Sequence, residues 1–95
     1  MTKQDYISPY DDRDTDFIYD QLANEYVIEP IETIEEIDEL DGIILDAIKE
    51  FNDSILNDES IDDDEDMDYQ DLRDEQYFHI TECVRKRFSK AIKED

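Results

Sequence analysis

The sequence predicts a mostly α fold: a small single domain of about three helices with an acidic connector loop. Three observations predict it. Ile34, Ile37, Leu40, Ile44, Ile48, Phe51 and Ile55 recur at the three- and four-residue steps of one helical face. A second series, Tyr69, Leu72, Tyr77, Ile80, Val84, Phe88 and Ile92, follows further along the chain. Between them, residues 57–68 are dominated by Asp and Glu, a composition that favours a solvated loop. With 95 residues, 38% of them hydrophobic, the chain can bury one modest core. It is too short for two domains around a cofactor cleft.

Residues 1–13 mix Tyr6, Ile7, Pro9 and Tyr10 with Asp11, Asp12 and Arg13 and predict an irregular N-terminal arm, leaving residues 14–95 as the helical domain. Asp14 or Thr15 is a good N-cap, and Ile18, Leu22 and Tyr26 then recur at four-residue spacing. This short first helix should end by Glu29, because Pro30 disfavours helical geometry in the residue before it. The β-branched segment from Tyr26 to Ile31 would suit extended chain instead.

Thr33 with Glu36 three residues later is a capping box opening a long second helix. Its apolar stripe repeats about every 3.5 residues, which suits a bundle or a homodimer seam. Gly42 costs about 1 kcal/mol against Ala in a helix interior and marks where a kink would fall. The last helix is expected from Asp68 or Tyr69 to Lys93. Its final turns hold Arg85, Lys86, Arg87, Lys90 and Lys93, where the helix dipole favours cations. These bases are expected to pair with the acidic helices, within the chain or across a dimer.

Charge is the dominant compositional fact. The chain carries 31 Asp plus Glu against 9 Lys plus Arg, a net of -22. Such a chain repels anionic duplexes and anionic lipid surfaces, so direct contact with nucleic acid or membrane is not expected. No apolar run approaches the roughly 18 residues of a membrane span. The first residues lack a secretory pattern and Cys83 has no second cysteine to pair with, which predicts a cytosolic setting. Gly42 is the single glycine, so a Gly-rich phosphate loop is excluded, and no triad or zinc-protease spacing surrounds His79. An enzyme is the least favoured class, and no cofactor is expected.

The candidate binding residues are the acids themselves. Asp11, Asp12, Asp14, Asp16 and Asp20 lie in the arm and first helix, and Glu32, Glu35, Glu36, Glu39, Asp46, Glu50 and Asp53 lie before and along the second helix, off its apolar stripe. Asp58, Glu59, Asp62, Asp63, Asp64, Glu65 and Asp66 crowd the connector. B-DNA carries one charge per about 1.7 Å of axis, so this net charge equals that of roughly 37 Å of duplex. A compact chain of this length has a diameter of about 30 Å, which makes the charge densities comparable. Tyr6, Tyr10 and Tyr19 are candidate interface anchors, and Tyr26, Tyr69 and Tyr77 candidate core residues.

Two smaller patterns touch on metals. Asp64, Asp66, Asp68 and Glu75 match the carboxylate positions of a calcium-binding EF-hand loop, but Tyr69 stands where that loop needs glycine. His79 and Cys83 are one helical turn apart, a half-site for a soft metal with Glu75 or Glu82 as third ligand. Two strong ligands are too few for a site, and the simpler expectation is a boundary histidine beside a buried thiol.

The overall make-up resembles phage-encoded acidic DNA-mimic inhibitors, the Ocr-like anti-restriction and acidic anti-CRISPR proteins. Tyr10-Asp11-Asp12-Arg13-Asp14-Thr15-Asp16 is similar to a Tyr-Asp-Asp-Ile-Arg-Asp-Thr-Asp stretch of the Ocr-like proteins, with the isoleucine absent. The resemblance implies a helical, often dimeric protein of the host cytoplasm whose acids imitate phosphates. Its partner would be a DNA- or RNA-binding host protein with a basic groove, inhibited by competition. The basic end of the last helix departs from this pattern. An acidic chaperone, or a regulator docking one amphipathic helix on a transcription or replication protein, is the alternative reading; for the regulator, Ile48→Asp would matter more than charge changes.

Overall fold

In the computed structural model, which describes residues 1–92, a 3₁₀ turn at Asp12–Asp14 leads into α1 (Thr15–Asn24), α2 (Ile34–Leu56) and α3 (Tyr69–Arg87). The expected mostly helical, three-helix architecture is what the chain adopts. No strand occurs among the described residues, and Ile28 and Ala91 form a single antiparallel bridge.

α2 begins at the predicted N-cap, Thr33, but only half of the capping box is closed, because Glu36 reaches the residue before the cap instead of the cap itself. The Thr33 hydroxyl accepts the Glu36 amide, and the Glu36 carboxylate accepts the Glu32 amide. The helix passes uninterrupted through Gly42, where an added Cβ would meet nothing within 4 Å. Gly42 therefore serves neither a break nor a close helix contact. α3 is capped by Asp68, whose carboxylate accepts the Gln70 amide.

α2 and α3 form an antiparallel hairpin, as the side-chain pairs Asn52 with Gln76, Glu50 with Arg87 and Glu39 with Ser89 require. Leu40, Ile44, Ala47 and Ile48 of α2 meet Ile80, Cys83 and Val84 of α3 in the core, with Ile18 and Leu22 of α1 completing it. The stripe from Leu40 to Phe51 is thus occupied within the chain, which removes the reason for a dimer seam along it. Its first two residues are not covered: Ile34 is 76% exposed and Ile37 is also exposed.

α1 ends at Asn24, within the bound set by Pro30, but by a different device. The Val27 amide bonds to the Leu22 carbonyl and the Tyr26 amide to the Ala23 carbonyl, with Tyr26 left-handed at φ 58. This is the Schellman arrangement, usually built on glycine. Tyr26, expected in the core, is consequently turned out and 80% exposed.

α3 stops at Arg87 rather than Lys93, which lies outside the described residues. Phe88 is extended but remains buried, and the tail returns to α1's exit, with the Glu29 amide on the Lys90 carbonyl and the Ile92 amide on the Val27 carbonyl. Helical spacing to Ile92 was satisfied in sequence, but pairing with the extended Val27–Glu29 segment satisfies the tail's backbone instead.

The arm has no regular structure before the 3₁₀ turn, yet it is tied to the hairpin. The Met1 ammonium pairs with Asp66, Lys3 donates to the Asp58 carbonyl, and the Tyr6 hydroxyl donates to Asn52. Tyr10, expected as an interface anchor, is a core residue, whereas Tyr69, expected in the core, is exposed.

Candidate acidic interface

None of the candidate acids is buried. Asp11, Asp14, Glu36 and Asp58 are half-buried, and the others are exposed. They divide by what they do inside the fold. Asp11 and Asp14 close a capping box on the 3₁₀ turn. Glu36 is held below the usual carboxylate range by the Glu32 amide and then by Lys90, at 3.4 Å. Glu39 accepts both the amide and hydroxyl of Ser89. Glu50 is lowered by its bond to Arg87, Asp58 by its bonds from Ser60, and Asp66 by the Met1 ammonium. These acids serve the fold first.

Asp12, Asp16, Asp20, Glu32, Glu35, Asp46, Asp53, Glu59, Asp62, Asp63, Asp64 and Glu65 have no ion-pair partner among the described residues. They are the acids available to a partner. The bases are mostly engaged: Arg87 with Glu50, Lys90 with Glu36, Arg85 with Glu82 and Arg13 with Asp11. Arg73 lies over the Tyr10 and Phe17 rings, 4.7 and 5.8 Å from their centroids. Arg85, Arg87 and Lys90 of this basic cluster thus pair within the chain, far along the hairpin from the connector. The molecule is most negative at its connector end.

The principal extents are 45 × 29 × 20 Å, more elongated than the sphere expected from length alone. Twenty-two net charges along 45 Å give one per about 2 Å, close to the roughly 1.7 Å of duplex DNA.

Two clefts add shape to this surface. One, of about 230 Å³, is lined by the apolar Ile55, Ile61 and Leu72 together with Glu65, Asp66, Asp68, Asp71 and Glu75. Such a cleft suits the aliphatic stem and cationic head of a Lys or Arg. The other, of about 500 Å³, lies between α1 and α3 and is lined by Phe17, Tyr77, Phe78, Arg73 and Arg85. Phe17 and Phe78 are exposed there. Burial and the carboxylate of Glu25, which accepts its hydroxyl at 2.8 Å, push the Tyr77 phenol up.

Of the EF-hand-like acids, Asp66, Asp68 and Glu75 line the smaller cleft, but they do not form a donor cluster at metal-binding distances among the described residues. Asp66 is taken by the Met1 ammonium, Asp68 caps α3, and Glu75 lies within that helix. The donor cluster found among the described residues is a different one, Glu50 with His79 and Cys83. His79 Nε2 is 3.4 Å from Glu50 Oε2, and Cys83 Sγ is 3.7 Å from His79 Nε2 and 3.9 Å from Glu50 Oε2. Burial and then Glu50 push the Cys83 thiol up. The sequence supplied His79 and Cys83 by helical spacing. Glu50 sits on another helix, and no local signal marks it.

The chain matches no protein-family model, no curated protein and no solved structure. Its function must be argued from its own surface. No helix among the described residues is long and apolar enough to cross a membrane.

Proposed function

We propose that this protein is a DNA mimic that occupies the basic nucleic-acid-binding groove of a host defence protein, of restriction or CRISPR type, and inhibits it by competing with DNA. The observation that carries this reading is the set of exposed acids without internal ion-pair partners, spread over a folded body with about one net charge per 2 Å of its long axis. A groove lined with Lys and Arg attracts such a body at long range, at rates that fall steeply with salt. Occupancy then excludes DNA without chemistry by the mimic.

Contacts that DNA cannot make would give the protein its advantage. The cleft lined by Ile55, Leu72 and acids would receive a basic side chain of the groove, and the exposed rings of Phe17, Tyr26 and Phe78 would add apolar contact. The target works in the host cytoplasm, where this protein would meet it as a folded unit.

Passing bacterial host lysate over the immobilised protein at low and then high salt tests the reading. The expected eluate is a DNA-binding defence protein that duplex DNA displaces. The quadruple change Asp62→Asn, Asp63→Asn, Asp64→Asn and Glu65→Gln should weaken its capture. Full inhibition by that variant, or a partner that excess duplex leaves in place, would reject mimicry.

One observation favours a second reading, a regulator that docks through a helix. Ile34 and Ile37 belong to the α2 stripe but remain exposed at its start. Ile34→Asp would abolish docking under that reading and leave a charge-driven mimic intact. Ile48→Asp cannot separate the two, because Ile48 is in the core.

A further inference from the structure

The α2–α3 hairpin holds a cluster that the polyanion reading does not use. Cys83 and His79 stand one turn apart on α3, and Glu50 reaches them from the facing turn of α2. Their donor atoms all lie within 4.8 Å of one another. A tetrahedral zinc-class ion binds sulfur at about 2.3 Å and imidazole nitrogen or carboxylate oxygen at about 2.0 Å. The edges of that tetrahedron are roughly 3.3 Å for N to O and 3.5 Å for S to N or O. The observed separations of 3.4, 3.7 and 3.9 Å exceed these by a few tenths of an ångström, within reach of side-chain adjustment alone.

The surroundings also suit a ligand set. One oxygen of Glu50, Oε2, faces both the imidazole and the thiol, while Arg87 holds Oε1 at 3.3 Å. A hydrogen-bonded second oxygen is how ligating carboxylates are usually oriented. The Phe51 ring lies 6.2 Å from the His79 ring and limits its freedom on that side. A thiolate and a carboxylate would balance the charge of a divalent ion, and the strongly negative chain raises the local concentration of cations. Sulfur and imidazole select against calcium and magnesium, which prefer oxygen.

We propose that Glu50, His79 and Cys83 form a three-ligand site for a zinc-class divalent ion, with the fourth position open to solvent or to a partner's side chain. The ion would staple α2 to α3 at the half-exposed edge of the hairpin. The site is independent of DNA mimicry and stands or falls separately.

Cobalt(II) titration of the reduced full chain, in excess magnesium to saturate the surface acids, tests it. The expected result is one equivalent bound, with a thiolate-to-cobalt charge-transfer band, the visible bands of tetrahedral cobalt, and displacement by zinc. Cys83→Ser should lose the charge-transfer band, and His79→Asn and Glu50→Gln should each weaken binding by roughly tenfold or more. Helical circular dichroism of each variant reports its folding. Because His79 and Glu50 are not buried, their variants carry the test if the cysteine variant unfolds. Zinc should also raise the melting temperature of the parent chain and not that of His79→Asn. Absorbance that never saturates at one equivalent, or a band unchanged in His79→Asn, would overturn the site.

Discussion

The side-chain oxygen of Gln76 accepts the backbone amide of Tyr10 at 2.8 Å, joining arm to α3 across 66 residues of chain. Gln76 is fully buried, and its amide nitrogen donates to Asn52 at 3.2 Å and to Ser8 at 3.4 Å. Asn52 in turn accepts the Tyr6 hydroxyl at 2.5 Å, and burial pushes the Tyr6 phenol up to about 12. One buried amide thus gathers α2, α3 and the arm.

Replacing that amide should be costly. Gln76→Leu leaves the Tyr10 amide without its acceptor, a loss of about 1–3 kcal/mol. Urea unfolding measures the loss, and exchange of the Tyr10 amide should accelerate more than that of the α2 core. Equal acceleration at both places would mean that the arm has no separate hold.

Tyr26 offers the opposite change. A non-glycine residue at φ 58 is strained by about 1–2 kcal/mol, and the exposed ring recovers little of this by packing. Tyr26→Gly should therefore stabilise the chain by up to about 1 kcal/mol, and Tyr26→Val should destabilise it. Thermal melts decide the sign. If Tyr26 is also an anchor for the partner, the glycine variant gains stability and loses affinity together.

Gly42 is an exposed residue inside regular helix, with open space at its Cβ position. Gly42→Ala should add about 1 kcal/mol. A destabilised alanine variant would reveal a contact or bend that the continuous α2 lacks.

Asp41 gives a pH dependence. Its Oδ1 is buried without a hydrogen-bond partner, and burial, then the nearby Asp16, raises its pKa above the ordinary 3.8. A carboxyl raised on folding binds its proton more tightly in the folded state, so it favours folding in acid. That contribution is lost as pH rises from the ordinary value through the raised one. Asp41→Asn should melt higher than the parent at neutral pH, and the difference should disappear below the carboxylate range. A constant difference at every pH would point to packing instead.

The helices were legible in sequence where local chemistry sets them. Thr33 with Glu36 and Asp68 with its following apolar series marked the starts of α2 and α3 where the structure has them. The ends were less legible, because tertiary partners set them. Phe88 keeps helical spacing but is extended, since the tail pairs with Val27 and Glu29. Tyrosine offered a similar ambiguity: its ring and hydroxyl suit core and surface alike, and the positions of Tyr10 and Tyr26 follow from the arm's docking and a left-handed cap. At the surface, the acids were readable as a set, but not which of them the fold employs. Glu36, Glu39 and Glu50 meet Lys90, Ser89 and Arg87 only once the hairpin closes.

The return of the tail to the exit of α1 also sets an order on synthesis. α2 and α3 are neighbours in sequence and can close their hairpin once α3 has emerged, at modest loop entropy. α1 leaves the ribosome before either, yet Val27 and Glu29 at its exit bond to residues 90–92, which are made after α3. Ile18 and Leu22, both fully buried in the finished fold, therefore emerge long before the residues of α3 and the tail that share their core. In that interval the dense acids of the nascent chain would keep its uncovered apolar face from associating with other chains.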